Sequence, residues 1–124
     1  MIKVTLTNEI LRYITEIEQN RYKVSSVKLS KTVMNKLRKN SKKKSSYASN
    51  KIEGNPLSEK QVDEVIESDG RKHYLKPEQE VRNYFLALNY LEEKVSKKEK
   101  LSMKLILDVQ KLVEKGASKE EIGL

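Results

Sequence analysis

An all-α fold, a small helical bundle of five to six helices, is the architecture this 124-residue sequence predicts, and three observations lead to it. Apolar residues recur at helical spacing along nearly the whole chain, most clearly at Val81, Tyr84, Phe85, Leu88, Leu91 and Val95. Helix-start signals punctuate that pattern, as in the capping box Ser58-Glu59-Lys60-Gln61. Glycines at 54, 70 and 116 fall where the periodic stretches end. Alternation of the β kind is confined to Ile2, Val4 and Leu6, a weak signal for one short strand.

Taken in order, Thr7 caps a first helix whose Ile10, Ile14 and Ile17 share a face. Residues 22–29 read as a connector. Ser30 caps a second helix carrying Val33, Met34 and Leu37, with Leu29 and Met34 at staple positions. A separate third stretch is expected over residues 45–53. Gly54 would end it, because glycine tolerates the left-handed backbone just past a helix. Pro56 prevents simple continuation. The Ser58 box opens a helix that gathers Val62, Val65 and Ile66 and stops near Asp69-Gly70, with Leu57 and Val62 as staple partners. Pro77 suits the first turn of the next helix, where Glu78 and Glu80 meet its positive end. Ser102 caps the last full helix, with Leu101 and Ile106 as its staple and Leu105, Ile106, Val109, Leu112 and Val113 as its stripe. Another capping box at residues 118–121 comes three residues before the end, which reads as an interrupted helix and a truncated chain. The core is expected to draw on Ile52, Val62, Ile66, Val81, Tyr84, Phe85, Leu88, Leu91, Ile106, Val109 and Val113.

Composition bounds the function. Hydrophobic residues are 36% of the chain, and its aromatics are six Tyr and one Phe, so the core must be modest. No cysteine is present, which removes disulfides and cysteine-ligated metal. No apolar run approaches the ~18 residues of a membrane span, and the N-terminus lacks a signal-peptide design, so a cytoplasmic protein is expected. Residues 1–46 hold 12 Lys/Arg against 3 Asp/Glu, whereas residues 47–124 hold 14 against 15. The basic run Arg38-Lys39-Asn40-Ser41-Lys42-Lys43-Lys44 has no interleaved aromatics for base stacking and reads as a solvated face, so nucleic acid is not the expected partner. Glu92-Glu93 and Glu120-Glu121 also read as solvated faces. The single histidine, His73, falls in a polar connector and reads as an exposed loop residue. No GxxxxGK(S/T) loop, GxGxxG fingerprint or HExxH helix occurs.

Chemistry concentrates at residues 45–58. Ser49 and Glu53 are four apart and stack on one helical face. A carboxylate in the last turn meets the negative end of the helix and gains from an external cation. By spacing alone, Glu53 is either a residue that wants a basic partner or a solvated carboxylate before a capping glycine.

The run Ser49-Asn50-Lys51-Ile52-Glu53-Gly54 resembles the inhibitory motif (S/T)xxxE(G/N) of Fic proteins. The continuation IEGNPLSEKQVDEVI resembles that family's IEGN-x-L-(S/T)-x-x-x-V segment, and residues 80–91 resemble its EVxNYxxALxYL helix. Together these blocks cover roughly residues 45–115, so the resemblance divides the chain into a variable basic helical segment, 1–44, and an inhibitory helix with the first helices of a Fic-like domain, 45–124. It implies an N-terminal autoinhibitory segment of a protein adenylyltransferase. Glu53 would occupy an active-site arginine and block productive ATP placement, Ser49 would help hold it, and Gly54 would end the helix close to the catalytic core. Ile52 and Asn55 would support the helix. The family's catalytic motif HxFx(D/E)GNGRxxR is absent, so no catalytic residue is assigned and this chain alone is not expected to be an enzyme. No metal or cofactor is assigned to it either; ATP and Mg are implied for the parent. The implied partner is a Fic core in cis, or in trans if the chain is a stand-alone, antitoxin-like inhibitor. Self-association through helices 77–95 or 103–115 is expected where that core would otherwise cover them. A helix-turn-helix reading fits less well, because helices 59–68 and 77–95 are about eight residues apart, longer than the usual 3–4-residue turn.

Overall fold

Asn8–Ser25 (α1), Lys31–Ile52 (α2), Glu59–Glu67 (α3), Lys76–Ser96 (α4) and Met103–Glu114 (α5) are the helices of the computed structural model, which describes residues 2–68, 70 and 73–116. The chain is all-α, as its periodicity predicts. Ile2, Val4 and Leu6 do not form a strand. Asp69, at the predicted end of α3, and the capping box at 118–121 lie outside the described residues.

Helix starts follow the local chemistry. Thr7 Oγ1 accepts from the Ile10 amide at 3.1 Å, Ser30 Oγ from Val33 at 3.2 Å and Ser102 Oγ from Leu105 at 3.1 Å. Ser58 and Gln61 cap reciprocally: Ser58 Oγ accepts from the Gln61 amide at 3.2 Å while Gln61 Oε1 accepts from the Ser58 amide at 2.8 Å. Leu75 has no capping hydroxyl, and Glu78 reaches back to accept from its amide at 3.0 Å. Two expectations fail. Residues 22–25, read as part of a connector, complete α1. The stretches predicted from Ser30 and over 45–53 form the single helix α2, because residues 38–44 contain no Gly or Pro and Lys and Arg are good helix formers.

Two units are distinguished, residues 1–35 and 36–124, and the division falls inside α2. In the first, α1 buries no residue, and Ile10, Ile14 and Ile17 remain exposed. The second contains the core. Val62 and Val65 of α3 and Val81 of α4 are buried together, with Tyr47, Leu57, Ile66 and Tyr74 packed against them. Leu57 meeting Val62 there is the predicted staple. Helix α4 packs against both α3 and α5, and Ala87 and Leu105 are buried along its course with α5.

The predicted core is only partly right. Tyr84, Phe85, Leu88, Leu91, Ile66 and Val109 are half-buried, whereas Ile52, Ile106 and Val113 are exposed. Among helices, α5 packs on α4 alone, so one flank of its stripe stays open, and the Leu101–Ile106 staple is exposed. Val65, Ala87 and Leu105 are buried in their place.

Asn83 is buried on α4 and closes the end of α5. Its Nδ2 donates to the carbonyls of Val113, at 3.1 Å, and Lys115, while Gln79 Nε2 donates to its Oδ1 at 2.7 Å. Terminal carbonyls that a helix leaves without partners are thus satisfied from a neighbouring helix. The end of α4 is closed differently. The Lys98 amide donates to Val95 O and the Glu99 amide to Lys94 O, a Schellman arrangement with Lys98 at φ 56°. A lysine there carries left-handed strain that glycine would not.

Two stability predictions follow from these termini. Asn83→Ala should destabilise the chain by about 1–3 kcal/mol, because the buried amide is lost together with its bonds to the last carbonyls of α5 and to Gln79. Lys98→Gly should stabilise it by about 0.5–1 kcal/mol, the relieved strain outweighing the added freedom of the unfolded chain. Urea unfolding of both variants checks the two signs.

Candidate functional site

The last turns of α2 hold the residues singled out by spacing, and their geometry starts from how the helix ends. The Gly54 amide donates to Lys51 O at 3.0 Å and the Asn55 amide to Asn50 O at 2.9 Å, with Gly54 at φ 90°. This is a Schellman cap in which Glu53 is the final capping residue. Its carboxylate therefore stands at the negative end of the helix dipole. Glu53 is exposed, and no hydrogen bond or ion pair engages it among the described residues.

Asn55 fixes the exit. It is buried, its Oδ1 accepts from the Leu57 amide at 3.1 Å, and its Nδ2 donates to Pro77 O at 2.9 Å and to Glu80 at 3.2 Å. The loop after α2 is thereby bound to the first turns of α4. Ile52 does not pack against this chain: it is 83% exposed.

Ser49 is half-buried and its hydroxyl lies 2.9 Å from the Tyr84 hydroxyl of α4. Ser45, one turn earlier, reaches the same phenol at 3.4 Å. Ser49 thus engages α4 rather than Glu53. Lys51 donates to Tyr47 OH at 2.8 Å and sits over that ring, and this hydrogen bond raises the Lys51 pKa.

The basic run is only in part the solvated face its composition suggests: Arg38, Lys39, Asn40, Ser41 and Lys44 are exposed, while Lys42 and Lys43 are half-buried. Lys42 donates to Asn89 at 2.8 Å and to Glu92 at 2.6 Å, and the hydrogen bond lowers the Glu92 pKa. Lys39 lies 2.9 Å from Glu67 and Lys43 closer still. Charges that look free in the sequence link α2 to α3 and α4, and Glu92, still exposed to solvent, is one of the partners. His73 is exposed in its connector. The described residues contain no group of His, Cys, Asp or Glu able to hold a metal ion. None of the described helices is long and apolar enough to cross a membrane.

Sequence reasoning missed Tyr84, which it placed in the core, as the partner of the serines. The available signal was the i, i+4 pairing of Ser45 and Ser49 on one face, opposite a helix whose apolar stripe contains a hydroxyl. Comparisons with protein-family models, curated proteins and solved structures return no match for this chain.

The Lys39–Glu67–Lys43 clamp carries a pH dependence. Hydrogen bonds from Lys43 and Lys39 lower the Glu67 pKa from 4.5 to about 2. A carboxylate with a lower pKa in the folded state favours folding above its unfolded value, and that contribution disappears as pH falls through the folded value. Glu67→Gln should therefore lower Tm at pH 7. Between pH 4.5 and about 2 the variant should lose less than wild type, the two curves converging at the acid end. Thermal unfolding at a series of pH values measures both.

Proposed function

We propose that this chain is the autoinhibitory segment of a Fic-type protein adenylyltransferase, with Glu53 as the carboxylate that occupies an arginine needed by ATP. The observation that carries this reading is the state of Glu53: exposed, with no ion-pair partner among the described residues, and held at the end of a helix whose exit is capped. A carboxylate added to a negative helix end favours a cation brought from outside the segment. The resemblance identifies that cation as the arginine of HxFx(D/E)GNGRxxR, supplied by a Fic core in cis or in trans. The chain carries no such motif, hence neither the histidine that would act as base nor the glycine-rich loop that would hold phosphates.

Supporting geometry lies around the motif. Gly54 takes the left-handed backbone its place requires, and nothing lies within 4 Å of where a β-carbon would stand, so the helix end is open to another surface. Ile52 is exposed beside it, an apolar side chain available to the same partner.

Glu53→Gly should raise AMP transfer by at least about tenfold once the catalytic core is present, equivalent to roughly 1.4 kcal/mol of barrier. Stability should change little, because the side chain is exposed and engages no hydrogen-bond or ion-pair partner among the described residues. Ser49→Ala should act in the same direction more weakly, and Glu59→Gly, on α3, should leave the rate unchanged. Labelling from radioactive ATP measures all three. An inert Glu53→Gly in a folded, ATP-binding protein would remove the inhibitory assignment.

A further inference from the structure

We infer that Tyr84 is the latch that positions the inhibitory turn, so that the regulation proposed for Glu53 depends on a phenol hydroxyl on a different helix. This rests on the reading of Glu53 above, but the contact itself does not. Ser45 and Ser49 are one turn apart on α2, and both hydroxyls converge on Tyr84 OH, at 3.4 and 2.9 Å. Glu53 is one turn beyond Ser49 on the same face. Apolar packing holds this end only through Tyr47, which meets the core cluster; Ala48 and Ile52 are exposed.

A side chain held by apolar burial resists loosening in proportion to area, whereas one held by a hydroxyl pair is released by the loss of a single atom. Tyr84→Phe removes that atom and keeps the ring. The phenol therefore holds the Ser45–Ser49 face of the last turns of α2, Asn55 holds the exit beyond them, and the valine core determines whether the unit folds. Tyr84 would act as a positioning residue, touching neither nucleotide nor target.

Amide hydrogen exchange on this chain tests the latch directly. In Tyr84→Phe, exchange at residues 50–53 should speed up about tenfold, the effect of one lost hydrogen bond, while amides around Val65 and Val81 keep their protection. The Ser49→Ala/Tyr84→Phe double variant should be no faster than Tyr84→Phe, since both remove the same bond. Tyr90→Phe, which alters a phenol bonded to Asp108 on α5, should leave residues 50–53 unchanged. Unchanged exchange in Tyr84→Phe, or an equal rise across the whole unit, would overturn the latch. With a catalytic core supplied, Tyr84→Phe should raise AMP transfer when Glu53 is present and add nothing to Glu53→Gly. If Glu53→Gly raises the rate and Tyr84→Phe does not, the latch fails and the inhibitory reading stands. If exchange responds but Glu53→Gly is inert, the latch stands and the inhibitory reading fails.

Discussion

Val81 sits fully buried between Val62 and Val65, and the helix that carries it is the one on which the rest of the second unit is assembled. Helix α4 packs on α3 through that valine cluster and on α5 through Ala87 and Leu105. Its polar side chains make the remaining attachments. Asn83 closes the end of α5, Tyr84 meets the serines of α2, Asn89 and Glu92 take Lys42, and Glu80 with Pro77 O receives Asn55. Moving α4 would break all of these contacts together.

So small a core explains the number of polar attachments. With 36% hydrophobic residues and few aromatics, burial alone leaves much of α2 without an apolar counterpart. Lysines on long flexible stems span the gap to Glu67 and Glu92. Exposed ion pairs contribute little individually, but Lys42 and Lys43 are largely shielded, with side chains 23% and 16% exposed. Lys42 also sits over the Phe85 ring, 5.8 Å from its centroid.

Around Glu53 the arrangement is different. Every buried side-chain polar atom among the described residues has a hydrogen-bond partner, and Asn55 and Ser49 are both tied to α4 or its first turn. Glu53 itself is left free at a capped helix end. A solvent-exposed carboxylate above this support is the arrangement on which the inhibitory role proposed for Glu53 rests.

Helix positions were legible in the residues because their causes are local. The hydroxyls of Thr7, Ser30, Ser58 and Ser102 reach amides three residues on, and Gly54 supplies a backbone angle that few other residues tolerate. The stacking of Ser49 and Glu53 on one face was legible for the same reason, since it depends on helical pitch alone. What the tertiary structure decided was every question of which face meets which. Spacing put Ile106 and Val113 on an apolar stripe but could not say that α5 would pack on α4 alone and leave them exposed. Nor could it say that α2 would run unbroken through the lysines, because the carboxylates that pair with them lie 24 to 50 residues further along the chain. Tyr84 shows the same limit from the other side. Its place in the stripe predicted burial, and only the tertiary approach of α2 to α4 brought its hydroxyl to Ser49.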